Sequence, residues 1–415
     1  MSDALAGAGL MARLDQLAAL SERPGLLVRR CLTPEHARAN ALVGEWMRAG
    51  GMQVRTDAIG NVIGRYEGDA PDLPALLIGS HLDTVVDAGR YDGMLGVVSA
   101  IACVADLHAR KTRLPFAIEI VGFADEEGTR FGATLLGSRA IAGTFDLSVL
   151  DRTDADGITL AEAMRRFDLD PARIGEVARR PEEFLGYVEL HIEQGPVLEA
   201  EGLAVGCVTA ISGATRLTVE IKGMAGHAGT VPMAGRHDAL AAAAECVLAV
   251  EARAAAEPEL VGTVGRIEAG PGAVNVVPGE ARFTVDLRAP ADERRQAALT
   301  DLLEGFDAIA RRRGVALKAA KTHDAASMPC APWLADQVRD AIESEGLGLR
   351  SLPSGAGHDG MAIGNLTDIA MIFVRCQGGI SHNPAEAITA EDAEAGARVL
   401  ARLIRNFTPK PRKHP

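Results

Sequence analysis

The sequence predicts an α/β protein with a largely parallel central sheet, into which a smaller α+β domain is inserted. Three observations predict it. Up to about residue 210, apolar runs of strand length alternate with segments of helical periodicity. Beyond that point the strands switch to apolar–polar alternation, as half-exposed strands do. And the chain has 415 residues, more than one hydrophobic core usually serves.

The N-terminal stretch reads as an amphipathic helix carrying Asp15, without the basic and apolar blocks of a secretion signal. Residues 74–79 and 116–123 are apolar enough to be buried strands, and 96–110 between them has helical spacing with no internal Gly or Pro. Residues 187–191 form another strand and 370–374 a late one. The second pattern begins with 215–222, which alternates apolar and polar residues. A helix over 238–256, strands over 260–266 and 280–287, a helix over 292–313 and a strand over 315–321 follow. That β-α-β-β-α-β order is ferredoxin-like, with helices on one face of an antiparallel sheet. The expected division is therefore a larger domain made of 1–210 and 326–415, resuming with a helix after Pro332, and an inserted domain of 211–325.

Bulk properties narrow the function. Apolar residues make up 47% and charged residues 24%, the balance of a globular protein. Forty-three Lys and Arg against 56 Asp and Glu give a formal charge of −13, which argues against nucleic acid as a partner. The one basic run, 409–415, reads as a solvated terminus. No window approaches twenty apolar residues, so no membrane span is expected. The six cysteines form no CxxC pair and are expected as free thiols, consistent with a cytoplasmic enzyme.

The residues that carry chemistry lie in short polar interruptions of this apolar pattern. His81 and Asp83 follow the first strand, where sites form in open α/β sheets. Asp83 is placed to orient the His81 ring. Asp92 lies in a glycine-punctuated loop ahead of a helix, where it either favours the helix N-terminus or bridges two metal ions. Asp125, Glu126 and Glu127 follow the next strand, and three adjacent carboxylates repel one another unless a cation is near. Glu127 suits a ligand and Glu126 a general base. His191 ends a strand, and His382 lies in a Gly-rich loop after the last one. Each residue alone has a bland reading: a satisfied strand-end histidine, a solvated acidic turn. Three imidazoles and two carboxylates delivered to neighbouring strand ends are the ligand set for two divalent ions.

Together HLDT, DGMLGV, EEGTRFG, HIEQGP, GHAGTVPM, NVVPG, DLR, GAGHDGMA and GGISHNPAE resemble the ureido-hydrolase branch of the aminoacylase/carboxypeptidase metal-dependent amidohydrolases. That branch contains allantoate amidohydrolases and N-carbamoyl-L-amino acid hydrolases. The resemblance covers residues from about 25 to 400 and implies a metallopeptidase-like catalytic domain with an inserted dimerisation or lid domain. It implies one ion on His81, Asp92 and His191, and another on Asp92, Glu127 and His382, the ions being Zn or Mn, with Co also accepted. It implies Glu126 as base, Asp83 as the supporting aspartate, and His227 as a histidine that completes the partner subunit's site in a homodimer. Asn275 and Arg288, assisted by Arg216, would hold a substrate carboxylate, with Gln194 and His358 lining the same site.

The substrate implied is a small ureido acid, and the expected reaction converts allantoate to ureidoglycine, ammonia and carbon dioxide in purine catabolism. The alternative is release of an amino acid from its N-carbamoyl derivative or from β-ureidopropionate; an aminoacylase or peptidase is more remote. A non-catalytic relative would lack a ligand or the base, and here all are present. The choice of allantoate rests on peripheral residues. Segments 215–217, 353–358 and 373–379 look more like the allantoate enzymes of plants and related bacteria, and Arg375 is placed to meet a polar ureido tail.

Overall fold

The computed structural model describes residues 3–410, so the basic tail lies outside the described residues from 411 onward. The chain forms two compact units. One comprises Met1–Thr209, Pro329–Leu352 and Ala356–Pro415; the other comprises Ala210–Met328 and Pro353–Gly355.

The larger unit is built on a nine-stranded sheet. At its centre Ala117–Phe123, Ala75–His81, Phe184–Ile192 and Ile369–Val374 run parallel to one another. Val62–Tyr66 flanks them antiparallel on one side, with Gln53–Thr56 antiparallel to it in turn, and Val205–Ile211 flanks them antiparallel on the other. Every residue of Ala75–His81 and Ala117–Phe123 is buried, which is why these strands read as continuous apolar runs. Met94–Ala109 is buried almost all round, and it packs against Ala75–His81 and against the helices Gly7–Ala18 and Ala390–Asn406. No helix of the described residues is long and apolar enough to cross a membrane. All six cysteines are free and buried.

His36, in the helix Pro34–Ala49, is fully buried; its Nδ1 accepts the Leu32 N–H at 3.0 Å. Burial, then the nearby Arg29 charge, lowers its pKa to about 3. The folded chain therefore keeps His36 neutral where the unfolded chain is protonated. Stability from this residue is complete above about pH 6.5 and is lost as the pH falls towards 3, at about 1.4 kcal/mol per unit. Between pH 6.5 and 5 the native protein should lose about 2 kcal/mol more than His36→Gln. Urea midpoints of both proteins at the two pH values measure this, and equal losses would refute it.

In the smaller unit the sheet order is Ile267–Gly270, Glu280–Ala289, Gly213–Lys222, Ala316–Ala325, all antiparallel. Leu217, Val219 and Ile221 point to the core under the helices Ala239–Ala255 and Asp292–Arg313, while Arg216 and Glu220 are exposed. The strand expected over 260–266 is instead two short pieces. Val261–Thr263 and Ile267–Gly270 both pair with Glu280–Ala289, with Thr263 opposite Asp286 and Ile267 opposite Phe283. Residues 264–266 thus face only 284 and 285, a bulge centred on Gly265. A two-residue ribbon that periodicity cannot reveal pairs Gly226–His227 with Val276–Val277.

Candidate dinuclear metal centre

Parallel strands carry their functional residues to one edge. His81 ends Ala75–His81, Glu126 and Glu127 follow Ala117–Phe123, and His191 is the penultimate residue of Phe184–Ile192. His382 stands in the loop after Ile369–Val374, and Asp92 in the loop that enters the core helix. The five converge. Asp92 Oδ1 lies 3.3 Å from His81 Nε2 and 3.1 Å from His191 Nε2, while Oδ2 lies 3.2 Å from His382 Nε2. Glu127 Oε1 is 3.5 Å from the same His382 nitrogen. One carboxylate thus faces two imidazoles with one oxygen and a third with the other. Gly93 makes the approach possible: its φ is +76°, and a Cβ there would overlap the His81 ring.

The rings are oriented from behind. His81 Nδ1 faces the Asp83 carbonyl at 3.0 Å, and His191 Nδ1 faces the Ile192 carbonyl at 2.9 Å. Those carbonyls place the ring proton on Nδ1 and turn the Nε2 lone pair inward. The Gly93 N–H donates to His191 Nε2 at 3.2 Å, which requires that lone pair.

The electrostatics show a shortage of positive charge. Burial pushes Glu126 well above the carboxylate range, with Glu127, Asp359 and Asp83 adding and His81 opposing. Burial, then Asp92, pushes Glu127 up to about 7. Burial also disfavours ionised Asp92, but the imidazoles of His191, His382 and His81 against it override that and hold the carboxyl well below its usual value. His81 is raised well above the usual imidazole range: burial lowers it, and the adjacent Asp92 with the charges of Glu126 and Asp83 more than offsets that. Acidic groups crowded around imidazoles whose lone pairs point inward fit divalent cations. The donor atoms of His81, Asp92 and His191 lie within 4.8 Å of one another, as do those of Asp92, Glu127 and His382.

Several expectations change in detail. The Asp83 carboxylate does not hold His81 by a hydrogen bond. It accepts the N–H groups of Glu126 at 3.0 Å and Glu127 at 3.2 Å, and it is the Asp83 carbonyl that faces the ring. Asp83 therefore shapes the turn that presents both glutamates. Gln194 donates to Asp92 Oδ2 at 2.9 Å and to Ser381 Oγ at 3.0 Å, so it supports the Asp92 carboxylate. His358 is 1% exposed and stands edge-on to His191, ring centroids 4.5 Å apart, walling that ring in rather than facing solvent. Burial and the His191 charge lower its pKa well below the usual value. Arg375 does not offer a free cation: its Nε and Nη2 meet Asp392 side by side, at 3.1 and 2.7 Å.

In the smaller unit, Arg288 grips Asp286 bidentately at 2.8 and 3.0 Å, and Arg216, across the ladder from Asp286, joins at 2.9 Å. Arg288 also donates to the Gly355 carbonyl at 2.8 Å. Two guanidiniums thus meet one carboxylate. They border a cleft of about 750 Å³ that also includes Glu259, Thr263 and Thr284. The ribbon sets His227 opposite Val276, next to Asn275, and both site residues are exposed.

Sequence reasoning missed two buried carboxylates. Glu189 accepts from Ser80 at 2.9 Å, Tyr187 at 2.9 Å and the Gly360 N–H at 3.2 Å beneath the site. Glu386 bonds to the loop of Asp92. The available signal was a glutamate two residues before His191 in an apolar strand and another four after His382.

A family model described as peptidase family M20/M25/M40 matches residues 77–406. The chain belongs to this family. Among its M20 relatives, an N-carbamoyl-L-amino acid amidohydrolase of Geobacillus stearothermophilus is 42% identical over 399 residues, covering 96% of this chain and 98% of the relative. Allantoate deiminase 2 of Glycine max is 39% identical over 432 residues, covering 96% and 89%. A solved amidase of the hydantoinase/carbamoylase family from Burkholderia multivorans superposes with a TM-score of 0.91 at 34% identity, covering 97% of this chain and 98% of that one. The M20 chain is thus an amidohydrolase with a mixed α/β fold around a mostly parallel sheet.

Proposed function

We propose that this enzyme hydrolyses the ureido C–N bond of a small carboxylate-bearing ureido compound in the cytoplasm, with two divalent ions per subunit. The observation that carries the reading is the Asp92 carboxylate facing the Nε2 atoms of His81, His191 and His382 within 3.3 Å, with Glu127 across from His382. His81, Asp92 and His191 would hold one Zn or Mn ion, and Asp92, Glu127 and His382 the other; Co also fits. Such ions acidify water and draw charge from a carbonyl oxygen. Glu126 takes a proton from the attacking water and returns it to the nitrogen that leaves. Burial raises its pKa, the direction that makes a carboxylate a better proton acceptor. The C–N bond breaks, and the carbamate formed decomposes to ammonia and carbon dioxide. Arg288 and Arg216 hold the substrate carboxylate, with Asn275 assisting. His227, exposed on its ribbon, supplies a hydrogen bond to the carbonyl oxygen in the site of a second copy of the chain, so the enzyme works as a homodimer joined through the inserted unit.

Within the class, allantoate is our first substrate and N-carbamoyl-L-amino acids the second. Arg375 no longer argues for allantoate, because Asp392 engages it. The choice rests on segments 215–217 and 353–358, which look more like those of allantoate enzymes. Comparing kcat/KM for allantoate and N-carbamoyl-L-methionine tests this. A preference for the latter of roughly a hundredfold, about 2.7 kcal/mol, overturns the choice.

A further inference from the structure

We infer that Glu386 is the positioning residue that clasps the two irregular loops of the metal centre together, so that Asp92 and His382 present their donor atoms as one set. The inference rests on the ligand assignment above. His81 and His191 are fixed by strand register, but Asp92 and His382 are not: both stand on loops, and His382 has a φ of +53°, a conformation held only by outside contacts. Glu386 is 4% exposed. Its Oε1 accepts the N–H of Tyr91 at 2.8 Å and of Asp92 at 3.2 Å. Its Oε2 accepts the hydroxyl of Ser381, the neighbour of His382, at 3.1 Å. That hydroxyl also lies 3.3 Å from Asp92 Oδ2. One carboxylate thereby ties the backbone of the bridging ligand to the residue beside the third imidazole. It belongs to none of the groups, among the described residues, whose donor atoms lie together at metal-holding distance. It acts through other residues.

Gly89 supports the same reading. It is buried with a backbone conformation open to any residue, yet a Cβ there would overlap the Glu386 carboxylate. The missing side chain makes room for Glu386, not for an unusual turn.

Titrating metal-free protein with Mn²⁺ by calorimetry, with metal analysis of the products, tests the clasp. Wild type should bind two ions per subunit. Glu386→Ala should weaken binding of at least one by roughly 10- to 100-fold, the usual effect of losing a group that orients ligands. Glu386→Gln should restore affinity to within a few-fold: its carbonyl still accepts both N–H groups, and its amide donates to Ser381. Gly89→Ala should reproduce the Glu386→Ala defect without removing a polar group, and it keeps the test decisive if Glu386→Ala fails to fold. Full affinity in Glu386→Ala or Gly89→Ala, beside a wild type that binds two ions, overturns this inference alone. So does a Glu386→Gln variant as damaged as the alanine one. A wild type that binds no ion overturns the metal centre as well.

Discussion

Glu126→Gln should lower kcat by roughly 10²- to 10⁴-fold and leave the metal content unchanged. The substitution keeps the shape of the side chain and removes its ability to take a proton. The backbone should not move, because the Glu126 and Glu127 N–H groups are held by the Asp83 carboxylate at 3.0 and 3.2 Å. Removing the carboxylate relieves its burial cost and its repulsion with Glu127, Asp359 and Asp83, against a lost attraction to His81, so the folded protein should be about as stable. KM for the ureido acid should change little, since the substrate carboxylate is assigned to Arg288 and Arg216. Steady-state kinetics with metal analysis of the same preparation measures all of this. Near-normal kcat would remove Glu126 as the base. A loss of metal in step with activity would make it a ligand instead.

The parts legible in the sequence are those set by strand geometry. A continuous apolar run marks a strand buried on both faces, and its C-terminal end in a parallel sheet is a known kind of place for a site. His81, Glu127 and His191 were therefore readable as positions, and Asp92 and His382 by their glycine-marked loops. What such reasoning misses is which atom does the work. Asp83 lies two residues from His81, and the sequence does not tell its carboxylate from its carbonyl; only the fold shows that the first holds the glutamate turn and the second the ring. Arg375 looked like an unpartnered cation because Asp392, seventeen positions on, reaches it only when the last helix packs home. Glu386 and Tyr91 are 295 positions apart, and no periodicity connects them. The bulge at Gly265 has the same origin: a one-residue excess shows only against the partner strand.

Asp92→Asn should abolish the centre altogether. One oxygen of Asp92 serves His81 and His191 while the other serves His382, so this residue alone belongs to both candidate ion sites. An amide keeps a single weak acceptor and turns an N–H₂ towards one half of the site. It also removes the charge that the three imidazoles hold in its ionised form. Loss of the metal contribution should reduce kcat/KM by on the order of 10³-fold or more, since Lewis-acid assistance supplies several kcal/mol and each 1.36 kcal/mol is tenfold. Thermal stability provides an independent readout. A ligand that binds only the folded chain stabilises it by about 2.7 kcal/mol when present at a hundred times its Kd. Wild type should therefore gain several degrees in Tm on adding excess Mn²⁺, and Asp92→Asn should gain almost none over its own metal-free Tm. Glu126→Gln should keep the full metal-dependent gain, which separates the residue that moves the proton from the residue that holds the ions. If Asp92→Asn retained both the Mn²⁺-dependent rise in Tm and two ions per subunit, Asp92 would not be the bridge.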